Sequence, residues 1–145
     1  MAATAWLFDN APHTAWIEGT STYLSSTYKC ALLTAVPAQS AANWAAISST
    51  EIAASGNYSS GGATLASKTA TLAGHITSVG WANVVWTSST LTAKAAVIYN
   101  SGTGELYSCV NLNGGTDVSS TAGDYTISWT GVSNIGFTVT VATAT

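Results

Sequence analysis

Residues 124–129, DYTISW, alternate strictly between polar and apolar side chains. In an extended chain Tyr125, Ile127 and Trp129 fall on one side, with Thr126 and Ser128 on the other. The last segment, 135–145, repeats the pattern: Ile135, Phe137, Val139 and Val141 stand against Thr138 and Thr140. A period of two does not serve a helix, whose faces repeat every 3.6 residues. It serves a strand with one face on a core and the other in water.

Other runs extend the reading. YKCALLTAV (28–36) reads as an early strand closed by Pro37, and residues 63–77 as one or two strands. VVWTSS (84–89) reads as a short strand and LTAKAAVIY (91–99) as a longer one. NSGTG (100–104) forms a Gly-bearing hairpin loop before the returning strand ELYSCVNL (105–112), and NGGTDVSSTAGD (113–124) reads as a second loop. Strands at near-regular spacing with glycine turns predict an all-β fold, an antiparallel β-sandwich that is jelly-roll-like or barrel-like. The one helical stretch is short, around 41–47, with Trp44 and Ile47 at an i, i+3 spacing. Residues 1–25 lack a strand pattern and are expected to form an extended N-terminal arm, leaving 26–145 as a single sandwich domain.

Alternation in 91–99 assigns Leu91, Ala93, Ala95, Val97 and Tyr99 to the core. Thr92, Lys94, Ala96, Ile98 and Asn100 are assigned to a second, half-covered face. The Lys94 stem is expected to lie along that face with its ammonium reaching out, towards a partner on another strand or another subunit.

Charge narrows the function classes. Only 6% of the residues are charged, with three Lys and no Arg, and the net charge is −3. Such a chain does not neutralise a run of phosphates, so nucleic-acid binding is excluded. It has neither a basic amphipathic stretch nor an apolar run near 18 residues, so no membrane contact is expected. The N-terminus has no positive n-region followed by an apolar h-region, and no signal peptide is expected. A free monomer ordinarily keeps itself soluble with interspersed charges. A surface this neutral points to an assembly protein, much of it covered by other subunits. Cys30 and Cys109 each lie in a strand-like run and are read as buried thiols.

No catalytic, metal or cofactor site emerges. There is no G-x-S-x-G elbow, and His13 and His75 stand apart. Asp9, Glu18, Glu51, Glu105, Asp117 and Asp124 are scattered as solubilising residues are, with Asp117 and Asp124 helping the chain to turn. No C-x-x-C or H-x-x-x-H spacing suits a metal. The six tryptophans are the remaining signal. Trp86 and Trp129 read as core. Trp6 and Trp16 read as anchors of an arm docked on a neighbouring subunit. Subunit contact is therefore expected at Trp6, Trp16, Lys94, Phe137 and Val139.

Four phrases in order, YKCALLTA (28–35), TEIAASGNYSSGGATL (50–65), VVWTSSTLTAKAAVIYN (84–100) and YTISWTGVSNIGF (125–137), give the chain a resemblance to a known family. Together they resemble a family of small virion structural proteins of tailed bacteriophages. The resemblance spans 29–137, with two departures: Asn57 splits the family's Gly-Tyr dipeptide, and Lys94 stands where arginine is commoner. It implies a non-enzymatic capsid decoration (cement) protein on the virion surface, made in the host cytoplasm. The implied partners are the major capsid protein and further copies of the chain, as a trimer first and a dimer second. The alternative it leaves is a tail, collar or fibre component with a host glycan-binding role.

Overall fold

The computed structural model describes residues 4–9, 25–73, 76–130 and 138–142. Their strands are β1 (Thr4–Leu7), β2 (Tyr28–Leu33), β3 (Ala63–Thr64), β4 (Thr69–Ala73), β5 (Ile76–Gly80), β6 (Val84–Ala93), β7 (Ala95–Asn100), β8 (Leu106–Asn111), β9 (Val118–Thr130) and β10 (Thr138–Ala142). One short helix, α1 (Trp44–Ile47), runs into a 3-10 turn at Ser48–Thr50. A five-stranded sheet has the order β1-β8-β7-β2-β3, a three-stranded sheet the order β10-β9-β6, and β4 and β5 form a separate two-stranded ribbon. Every strand pair is antiparallel. Among the described residues the chain forms the expected antiparallel all-β sandwich with one short helix.

The two larger sheets share one core. Cys30, Leu32, Val97, Ile98 and Cys109 come from the five-stranded sheet, and Trp86, Leu91, Tyr125 and Ile127 from the three-stranded one; all are buried. Trp86 meets the Tyr125 ring edge-on at 6.2 Å and the tilted Tyr58 ring at 5.4 Å. Trp86 is core, as the alternation predicts, and both cysteines are buried free thiols.

Three expectations change. Residues 84–93 form one strand rather than the end of one and the start of another. Its alternation resets inside: Val84 and Trp86 are buried, then Ser89, Leu91 and Ala93. Ser88 adopts φ +50° and the pairing with β9 shifts register there, so one extra residue flips the parity. The facing strand does the same at Ala122, φ +49°, passing from buried Val118 and Ser120 to buried Tyr125 and Ile127. Residues 118–124, expected in a loop, are therefore the first half of β9.

The second change concerns Lys94. It lies between β6 and β7, at the corner where the chain leaves one sheet for the other. Its N–H donates to the Leu33 carbonyl at 2.8 Å, and its own carbonyl accepts from Leu112 N at 2.9 Å. Parity does not carry through such a corner, and β7 is a central strand covered on both sides. Ala96, Ile98 and Asn100 are accordingly buried, not half-covered.

The third change is in the arm. Thr4–Leu7 is the edge strand of the five-stranded sheet, in register with Ser108–Asn111, and Phe8 is buried in the core. The arm's Trp16 lies outside the described residues. An apolar pair, Leu7 and Phe8, was too short a run to register as a strand.

Candidate interaction surface

Among the described residues of β6 and β9, the outer face is built mostly from hydroxyls. On β6 Val85, Thr87, Thr90 and Thr92 are exposed, and on β9 Ser119 and Thr121 are exposed, with Thr126 and Ser128 half-buried. The facing bulges keep these residues outside on both halves of the strands, since each extra residue resets the alternation without turning the face over. The hydroxyls are tied to one another and to the backbone. Thr92 and Ser119 hydroxyls meet at 2.8 Å, Ala122 N donates to Thr90 Oγ1 at 3.0 Å, and Asn57 Nδ2 donates to Thr87 Oγ1 at 2.7 Å. One carboxylate borders the face: Asp124 Oδ1 accepts from Ser88 N at 3.2 Å, inside the bulge. Val85, 47% exposed, is the most exposed large apolar side chain among the described residues. The face thus carries little charge and is rich in short side chains that lose little rotamer entropy when covered.

A second cluster holds the loop between α1 and β3 on the sheet. Glu51 Oε1 accepts from Tyr58 OH at 2.7 Å and from Gly61 N at 2.6 Å. Tyr58 OH in turn accepts from Leu32 N at 3.0 Å, and Tyr99 OH donates to the Gly61 carbonyl at 2.8 Å. Trp44 stacks flat on Tyr99, ring centroids 4.3 Å apart at 6°. Burial, with the neighbouring Glu51 carboxylate, raises the Tyr58 phenol well above its ordinary range and shifts Tyr99 in the same direction. Glu51 is therefore a structural acceptor and not one of the scattered solubilising acids that the sequence suggested. The cluster ties the loop down, and its groups already satisfy one another.

The expected contact residues do not gather in one patch. Trp6 is half-buried: its indole N–H donates to Asn111 Oδ1 at 3.3 Å and its ring meets Phe8 edge-on at 4.7 Å. It is engaged within its own chain. Lys94 sits at the same end of the five-stranded sheet, since Asn111 stands opposite Thr4 on one side and Ala95 on the other. Val139 lies in β10 at the register position opposite Trp129. Trp16 and Phe137 fall outside the described residues. Sequence reasoning passed over the hydroxyl face, although its signal was present: in STLT (89–92) every second residue is the side left over from the core.

Among the described residues no group of three His, Cys, Asp or Glu is placed to hold a metal ion, and no helix is long and apolar enough to cross a membrane. No protein-family model, no curated protein and no solved structure matches the chain.

Proposed function

We propose that this chain is a non-enzymatic structural protein of a bacteriophage particle, a capsid decoration protein that lies on the major capsid protein lattice and stabilises it. The observation that carries the reading is the outer face of the three-stranded sheet. A protein that spends its life pressed against a shell needs a flat surface with hydrogen-bonding capacity and little charge to desolvate. Burying an unpaired charge costs several kcal/mol, whereas a hydroxyl finds a donor or acceptor on almost any partner. The exposed residues from Val85 to Thr121 supply hydroxyls and little charge, with Val85 as an apolar member at one end. The resemblance of the motifs at 28–35, 50–65 and 84–100 to virion structural proteins agrees with it.

Comparing particles with and without the protein tests the reading. Density on the head is expected to vanish, and tolerance of heat is expected to fall. Replacing Val85 and Thr121 by lysine is expected to cut occupancy on purified heads while leaving the fold intact, since both side chains face solvent. Unchanged heads combined with failed host attachment would place the protein in the tail or fibre and reject the decoration role.

A further inference from the structure

One asparagine in the chain, Asn113, is followed by glycine. Such a step carries its own chemistry. The backbone nitrogen of the glycine can attack the asparagine Cγ, because glycine has no side chain to crowd the approach. Both residues are exposed, and among the described residues a Cβ built on Gly114 would meet nothing within 4 Å. Water and hydroxide therefore reach the peptide that would react.

The fold holds this step in an unreactive conformation. Asn113 adopts φ +43°, ψ +46° and Gly114 φ +67°, ψ +24°, close to the type I′ turn for which Asn-Gly is the favoured pair. Closing a ring from Gly114 N to Asn113 Cγ requires that nitrogen to eclipse Cβ about the Cα–C bond. At ψ +46° it stands anti to Cβ, on the opposite side of that bond. The ring closes only after ψ rotates far out of the left-handed region, and the Asn113 carbonyl must swing with it. Thr116 opposes the rotation. Its Oγ1 donates to the Asn113 carbonyl at 2.7 Å and accepts from Asn113 Nδ2 at 2.8 Å, and its N–H donates to the same carbonyl at 3.4 Å. One hydroxyl thus grips both groups that have to move.

We propose that Asn113 is a site of spontaneous deamidation, held latent by the folded turn and latched by Thr116. When the turn opens, Gly114 N gives its proton to hydroxide and bonds to Asn113 Cγ. The Cγ–Nδ2 bond breaks, and Nδ2 takes a proton from water and leaves as ammonia. Water then opens the cyclic imide at Cγ, which gives aspartate, or at the backbone carbonyl, which gives isoaspartate. Either product adds a negative charge, and isoaspartate also adds a methylene to the main chain. The position matters because residues 112–117 carry the chain from β8 in the five-stranded sheet to β9 in the three-stranded one. The inference does not rest on the particle reading, and it is tested on the isolated chain.

The chain is incubated at mildly alkaline pH with and without guanidinium chloride. Peptide mass mapping and enzymatic methylation of isoaspartate then follow conversion at position 113. Conversion in denaturant is expected to be at least about tenfold faster than in the folded chain. Thr116→Val keeps the shape and removes the hydroxyl. It is expected to raise the folded-state rate about tenfold, the scale of losing one side chain's hydrogen bonds. Thr116→Ser, which restores the hydroxyl, is expected to stay near the native rate, a difference that a purely steric role would not produce. Melting curves show whether each variant is folded, and if Thr116→Val is not, the native and serine chains with and without denaturant decide the matter. Equal rates in the folded and denatured native chain would overturn the proposal, as would no conversion at 113 in denaturant. So would a folded Thr116→Val no faster than native, or a Thr116→Ser as fast as Thr116→Val.

Discussion

Gly62 accepts no side chain. It holds φ +72°, and a Cβ there would sit 2.0 Å from the Cys30 carbonyl oxygen and 2.6 Å from its carbon. The obstacle is backbone in a central part of the sheet, which does not move aside as a flexible side chain would. Gly62→Ala is expected to cost about 3 kcal/mol or more, from strain and from loss of the β2–β3 pairing next to it. Denaturant unfolding measures the loss. The cysteines give a second prediction. Burial pushes both the Cys30 and Cys109 thiols up from 9.0 to about 12. In the folded chain they hold their protons where the unfolded chain gives them up, so stability is intact below pH 9 and falls as pH rises towards 12. The slope is about 1.4 kcal/mol per pH unit for each thiol in that window. Thiol titration at pH 8 is expected to find neither cysteine reactive until denaturant is added, and melting temperature is expected to drop steeply above pH 9. The buried phenols of Tyr58, Tyr107 and Tyr125, also raised by desolvation, act in the same direction.

Among the elements, the β6–β7 corner separates what a side chain does from what the backbone does. The Lys94 N–H bond to Leu33 and the Leu112 bond to the Lys94 carbonyl fasten the corner to the five-stranded sheet whatever the side chain is. Lys94→Ala is expected to change stability by less than about 1 kcal/mol. Lys94→Pro, which removes the donor, is expected to cost about 3 kcal/mol or prevent folding. Chemical denaturation of the two variants side by side checks the contrast. The same corner shows where alternation stops being informative. β2 and the β7–β8 hairpin were legible as apolar runs between glycine or proline stops, and these strands are buried on both faces. Alternation failed at Ser88 and Ala122, where two bulges face each other and the phase is set by the partner strand. It also failed at Lys94, where burial on both faces of β7 follows from its central place in the sheet. The family-like phrases fare similarly. Glu51, Tyr58, Gly61 and Tyr99 meet in one hydrogen-bonded cluster, so part of these motifs is accounted for by the packing of a loop. The hydroxyl face was legible only as the complement of the core pattern, since threonine and serine on a strand are equally suited to water and to an interface.

For the whole molecule, the N-terminal segment belongs to the fold as well as to any assembly. Phe8 is buried, 1% exposed, and β1 closes one side of the five-stranded sheet. Phe8→Ala is expected to cost about 3 kcal/mol or more by thermal or denaturant unfolding. A chain lacking residues 2–18 is expected to lose stability along with particle binding, whereas a chain that melted normally would show β1 to be dispensable. Trp6 and its hydrogen-bond partner Asn111 are 105 residues apart in the chain. On a ribosome adding about 5–20 residues per second, the first strand made waits on the order of 5–20 s for the strand that receives it. The five-stranded sheet is completed from its earliest and nearly its latest parts, and such long-range pairing is slow. Through that interval Trp6, Leu7 and Phe8 have no sheet to join, so the speed of translation between Leu7 and Ser108 sets how long the nascent chain must be kept from aggregating.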